Sequence, residues 1–140
     1  MTEALFGPQP VYLRLGSSVI RTAAAEDRPA IDALRAPHHP SGRPSSWPQV
    51  VWYVVERAGA VVACGGTCDD LDSSQRTIVD VFGAPGAARD TAALFRYLEN
   101  AALADGVQSV IGWTWLSKQQ MQRAAKRGWE PFGVLMRKVV

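Results

Sequence analysis

The sequence predicts a mixed α/β domain: an antiparallel strand meander followed by a β-α-β-α-β arrangement, giving one mixed, mostly antiparallel sheet with about three helices on its faces. Three observations carry this. The β-branched and aromatic run Val50–Arg57 is joined by Ala58-Gly59 to a second apolar run, Ala60–Thr67, the pattern of an antiparallel hairpin. Two later segments, about Asp90–Asp105 and Ser117–Arg127, have helical spacing of apolar residues and each is followed by glycine. Between and after them lie the strand-like runs Ser109–Trp115 and Trp129–Val140.

The elements follow in order. Residues 1–18 read as an N-terminal arm, loose over Met1–Pro10 with a candidate edge strand at Val11–Leu15, and residues 19–140 as one domain. Ser18–Ala23 alternates weakly. Glu26, Asp27 and Pro29 then mark a helix start, because proline in the first turn loses no needed hydrogen bond. Ile31 and Leu34 give that helix a short apolar stripe, and Pro37 stops it. Pro37–Pro48, rich in proline and serine, is a loop. A polar turn at Asp69–Ser74 leads to a third strand of the meander, Arg76–Phe82. In the long helix Asp90 is the expected N-cap, with Leu94, Phe95, Leu98 and Ala102 inward. In the last helix Ser117 is the expected cap, and Met121, Ala124 and Ala125 the inward set.

Composition narrows the function. The chain has 140 residues, 47% apolar and 20% charged, with a net charge of +2. That is an ordinary globular composition, too sparsely basic for a nucleic-acid binder of this size. No apolar run approaches the roughly 18 residues of a membrane span, and Met1–Pro10 lacks the basic start and apolar stretch of a signal peptide. The expected location is therefore a reducing cytoplasm. Cys64 and Cys68, if on one strand, stand roughly 13 Å apart, too far for a disulfide without a bulge or turn. They read as two buried thiols. No metal site is expected, since His38 and His39 are the only histidines.

The order of elements resembles the GNAT acetyltransferase superfamily over about Val19 to Val140. Four stretches agree: Ile20-Arg21-Thr22-Ala23 with the helix after it; the hairpin Val50–Thr67, ending in small residues; the strand, loop and helix Ile78–Gly106; and Ala124-Ala125-Lys126-Arg127-Gly128-Trp129-Glu130, where a helix stops at glycine and an aromatic opens the last strand. The resemblance implies that acetyl-CoA or another acyl-CoA lies between a splayed pair of parallel strands, Ile78–Phe82 and Ser109–Trp115, with its pyrophosphate on the loop before the long helix. Val79, Val81, Gly83, Gly86, Arg89 and Thr91 are then the coenzyme-binding candidates. The physical basis is general: free N–H groups and the positive helix end favour an anion.

Several positions depart from the family pattern. Its phosphate cradle falls on Gly86–Thr91, where arginine and threonine replace glycines and Asp90 brings a carboxylate. At an effective dielectric near 20, like charges about 4 Å apart repel by roughly 4 kcal/mol. A register using Gly83 and Gly86 is the alternative, and a plain turn before an Asp90 cap is another. The tyrosine that reprotonates the leaving thiolate in many relatives falls on Ala124, leaving Ser117 as a weak substitute; Tyr53 and Tyr97 have no support from spacing. Candidates for a general base are Asp80, Glu56, His38 and His39. Asp80 could instead form a structural ion pair with Arg76 or Arg137. Trp47, Trp113 and Trp115, with the two histidines, are candidates for lining an acceptor site.

Two readings follow. One is a divergent acyl-CoA-dependent N-acyltransferase whose acceptor amine belongs to a small molecule or a protein. The other is a catalytically inactive binding or structural module with the same fold. No membrane partner is expected, and the hairpin edge leaves room for a homo-oligomer.

Overall fold

The computed structural model describes residues 11–39, 49–112 and 118–131. Six strands form one sheet in the spatial order of the chain: β1 Tyr12–Leu15, β2 Ser18–Thr22, β3 Val51–Arg57, β4 Ala60–Asp69, β5 Gln75–Gly83 and β6 Ser109–Gly112. Neighbours pair antiparallel except β5 and β6, which are parallel. Among the described residues three α-helices accompany them: α1 Arg28–Arg35, α2 Ala88–Ala104 and α3 Lys118–Ala125. No helix among the described residues is long and apolar enough to cross a membrane.

The β3–β4 hairpin turns as its sequence predicts. Ala58 and Gly59 have φ of 52° and 79°, the two left-handed positions of a tight hairpin turn. The strands run longer than expected: β4 continues to Asp69, and β5 from Gln75 to Gly83.

The sheet buries both faces. On one, Ile20, Tyr53, Val55, Ala63 and Ile78 pack against Leu94 and Leu98 of α2. On the other, Val54 and Cys64 pack against Ile31 of α1, with Leu34, Trp52 and Phe82 at the margin. The contact with α2 is closest at Gly65, where an added Cβ would stand 3.1 Å from Val81 and 3.2 Å from Leu98. Glycine there lets helix and sheet approach.

Three expectations are corrected. The cap of α2 is Ala87, and Asp90 lies inside the first turn with its side chain turned into the protein. Cys64 is buried but Cys68 only partly so, and both are free thiols. On α3, Met121 is 50% exposed, Ala125 is exposed and Ala124 half-buried, so the expected inward set does not form. With only three apolar residues in eight, this short helix has little apolar surface to bury. Its end is held from outside: Glu99 of α2 accepts a hydrogen bond from the Trp129 indole and lies 3.6 Å from Arg127.

Candidate functional site

The site is built around an irregularity in β5. Cys64 pairs with Phe82 but Gly66 with Val79, so Gly65 of β4 faces two residues, Asp80 and Val81. This is a β-bulge, and Asp80 takes the left-handed φ of 51°. Asp tolerates that conformation better than most residues. On the other edge, the β5–β6 ladder runs from Gln75↔Ser109 to Ile78↔Gly112. Beyond it, residues 79–83 of β5 have no strand partner on that side among the described residues. Val79 is fully buried and Val81 packs toward α2.

The loop that follows delivers the chain to the N-terminus of α2. Ala84 N–H donates to Val62 O at 2.8 Å, and Gly86 turns with φ of 84° in open surroundings. Ala87 makes no side-chain cap. The N–H groups of Ala88, Arg89 and Asp90 therefore have no acceptor among the described residues. The Arg89 side chain is exposed beside them, without an ion-pair partner among the described residues. Thr91 donates its hydroxyl to Ala87 O at 2.8 Å and packs over Gly83.

Asp90 is the largest departure from the sequence reading. Only 6% of the residue is exposed, and its carboxylate accepts from Ser18 Oγ at 2.7 Å and pairs with Arg57 at 3.0 Å. The negative charge is thus drawn under the helix toward the β2–β3 end of the sheet. The repulsion expected at a phosphate site is offset by Arg57. Spacing alone could not show this, because both partners are far away in sequence.

On the opposite face, the bulge meets α1. Asp80 pairs with Arg35 at 2.8 Å, the side chains being 13% and 5% exposed. Arg35 also lies 3.6 Å from Asp32 and stacks 4.7 Å over the Trp52 ring. His39 Nε2 approaches Asp80 Oδ2 to 3.6 Å, while His38 stacks flat on Phe82, centroids 3.9 Å apart. The partner of Asp80 is therefore not Arg76, which binds Asp69 at 2.6 Å and Asp105 at 2.8 Å. A groove of about 440 Å³ runs on from this cluster beside Trp52, Arg35, Asp32, Ile31, Arg28 and Ala23.

The remaining candidates are dispersed. Glu56 lies opposite Val19 and Val61, away from the bulge, and accepts from Arg21 at 3.0 Å. Arg21 also donates to Asp27 at 2.6 Å, which holds the Asp27 carboxyl below its usual range and raises its own pKa. Tyr53 and Tyr97 face each other at 6.2 Å, and burial raises both phenols. Burial also pushes the Cys64 thiol up to about 12, so it stays protonated. Trp47, Trp113, Trp115, Ser117 and Arg137 lie outside the described residues. Among the described residues no group of three or more potential metal ligands converges. Arg35 was missed in the sequence, although an arginine next to the Ile31/Leu34 stripe at the end of a short helix was a usable signal.

No protein-family model and no curated protein matches the sequence. Solved structures do match. A Trypanosoma brucei acetyltransferase superposes with a TM-score of 0.68 at 16% identity, over 88% of this chain and 99% of its own. A GCN5-related N-acetyltransferase from Ralstonia eutropha gives 0.63 at 13% identity, over 87% and 98%. The chain has the GNAT acetyltransferase fold. An N-acetylglutamate synthase from Neisseria gonorrhoeae, solved with coenzyme A and N-acetylglutamate, also matches, with a TM-score of 0.63 at 18% identity. The match covers 28% of that longer chain and 81% of this one. In the GNAT fold of this chain, the bulge lies between β4 and β5 and meets α1.

Proposed function

We propose that this protein is a divergent acyl-CoA-dependent N-acyltransferase, using acetyl-CoA or another acyl-CoA and an amine acceptor on a small molecule or protein. The observation that carries this is the start of α2: three N–H groups without an acceptor among the described residues, beside an exposed Arg89, with the Asp90 carboxylate drawn away to Arg57. A pyrophosphate fits such a place, because the N–H groups and the helix dipole favour an anion and Gly86 keeps the approach open. Bound there, the coenzyme would supply an activated thioester. Residues 79–83 offer a strand edge along which an extended, amide-containing arm can lie. The chain's own part is orientation, which by itself contributes much of the rate in such transfers.

The inactive-module reading draws support from Ala124, which puts no proton donor at the tyrosine position. Thermal unfolding with acetyl-CoA separates the two. Ligand at a hundred times its dissociation constant adds about 2.7 kcal/mol. With an unfolding entropy of about 2.1 cal/mol/K per residue, that raises Tm by roughly 9 °C for this chain of 140 residues. No rise at millimolar coenzyme defeats the acyltransferase reading. If Tm rises, Arg89→Ala should reduce the shift.

A further inference from the structure

We infer that His39 is the proton acceptor for the attacking amine, and that Asp80 and Arg35 are the residues that position it; this rests on the acyltransferase reading above. The argument begins with which groups at the bulge can take a proton. Asp80 lies on β5 itself, but its carboxylate is tied at 2.8 Å to Arg35, and both side chains are almost wholly buried. The Asp80 carboxylate is thus already engaged with a buried guanidinium. Glu56 is engaged with Arg21 and lies away from the bulge. His38 has its ring against Phe82, and among the described residues no carboxylate within ion-pair reach. Of these candidates His39 remains, and its ring faces Asp80.

The geometry also selects the tautomer. Nε2 of His39 faces the Asp80 carboxylate at 3.6 Å, a contact of the kind that tightens when a substrate binds. A carboxylate accepts only, so Nε2 carries the hydrogen and Nδ1 the lone pair. Arg35 holds Asp80 in place, and is itself held by Asp32 and the Trp52 ring. The left-handed bulge turns the Asp80 side chain to the α1 face, where His39 follows the end of that helix.

The chemistry balances as follows. An acceptor ammonium gives one proton to Nδ1 of His39 and becomes a neutral amine. Its nitrogen attacks the thioester carbon, the C–N bond forms and the C–S bond breaks. The second proton of that nitrogen ends on the departing sulfur, giving a thiol, and His39 returns its proton to solvent.

Because the chain holds only two histidines, ¹⁵N-histidine NMR of the whole protein reads both rings directly. The expected spectrum shows neutral His39 with hydrogen on Nε2 and a bare Nδ1; hydrogen on Nδ1 instead overturns the positioning by Asp80. The second arm follows thiol release from acetyl-CoA with spermidine, an aminosugar and a lysine peptide as acceptors. His39→Gln should lower kcat by about 10²–10⁴-fold, with the Tm rise from acetyl-CoA unchanged. Rates within twofold of wild type overturn the assignment alone, as does a wild type that is stabilised by the coenzyme but releases no thiol. A wild type that acetyl-CoA does not stabilise overturns the acyltransferase reading itself, and the role of His39 with it.

Discussion

Gly83 gives a sharp test of how the β5–α2 loop is built. Its φ is not left-handed, so alanine suits the backbone there and any cost is steric. A Cβ at Gly83 would lie 1.9 Å from Thr91 Oγ1 and 3.2 Å from Thr91 Cβ. Thr91 is β-branched and stiff, and its hydroxyl is committed to Ala87 O at 2.8 Å. Relief requires turning the side chain, which breaks that bond, or shifting the first turn of α2. Overpacking of this kind costs about 1–3 kcal/mol, and the lost hydrogen bond about 1 kcal/mol. A loss near 2 kcal/mol lowers Tm by about 7 °C for a chain of 140 residues. In a Thr91→Ala background the oxygen is gone and the same Gly83→Ala change should cost less than about 0.5 kcal/mol, since alanine restricts the unfolded chain. Urea unfolding of the four proteins of this cycle reads the coupling, expected at about 1.5–2 kcal/mol. A neutral Gly83→Ala, or two changes that simply add, refutes the packing described.

Two further outcomes follow from titratable groups. The Arg21 guanidinium beside Asp27 lowers that carboxyl's folded pKa, so the pair stabilises the protein above the unfolded carboxyl value, about 4, and the gain is lost as pH falls through the lower folded value. Asp27→Asn should be less stable than wild type at pH 7 and lose less on going to pH 3; parallel urea-unfolding curves count against it. Cys64, buried with its thiol pushed up to about 12, should resist iodoacetamide at neutral pH while the partly exposed Cys68 reacts. Equal alkylation by mass spectrometry would show that Cys64 is not sealed under α1.

The device at the start of α2 reconciles two facts that conflict in one dimension. A carboxylate in the first helical turn suits the dipole, yet it competes with any phosphate for the same N–H groups. Ser18 and Arg57, brought up by the β2–β3 pairing, draw Asp90 inward. Its position strengthens the helix while the first N–H groups have no acceptor among the described residues.

What the sequence determined by itself was whatever depends on neighbours along the chain. The order of strands and helices up to the last helix, the Ala58-Gly59 hairpin and the Leu94/Leu98/Ala102 face were legible because periodicity and turn chemistry are local, while the expected last strand, Trp129–Val140, lies mostly outside the described residues. The candidate residues Asp80 and His39 were legible as chemical types. Their pairing was not, since the bulge opposite Gly65 decides which way Asp80 points and α1 decides what it meets. The tertiary structure alone assigned Arg35 to Asp80, Arg76 to Asp69 and Asp105, and Arg57 to Asp90. Ion pairs are chosen by distance in space and by burial, and neither quantity is written in the spacing of residues along a chain.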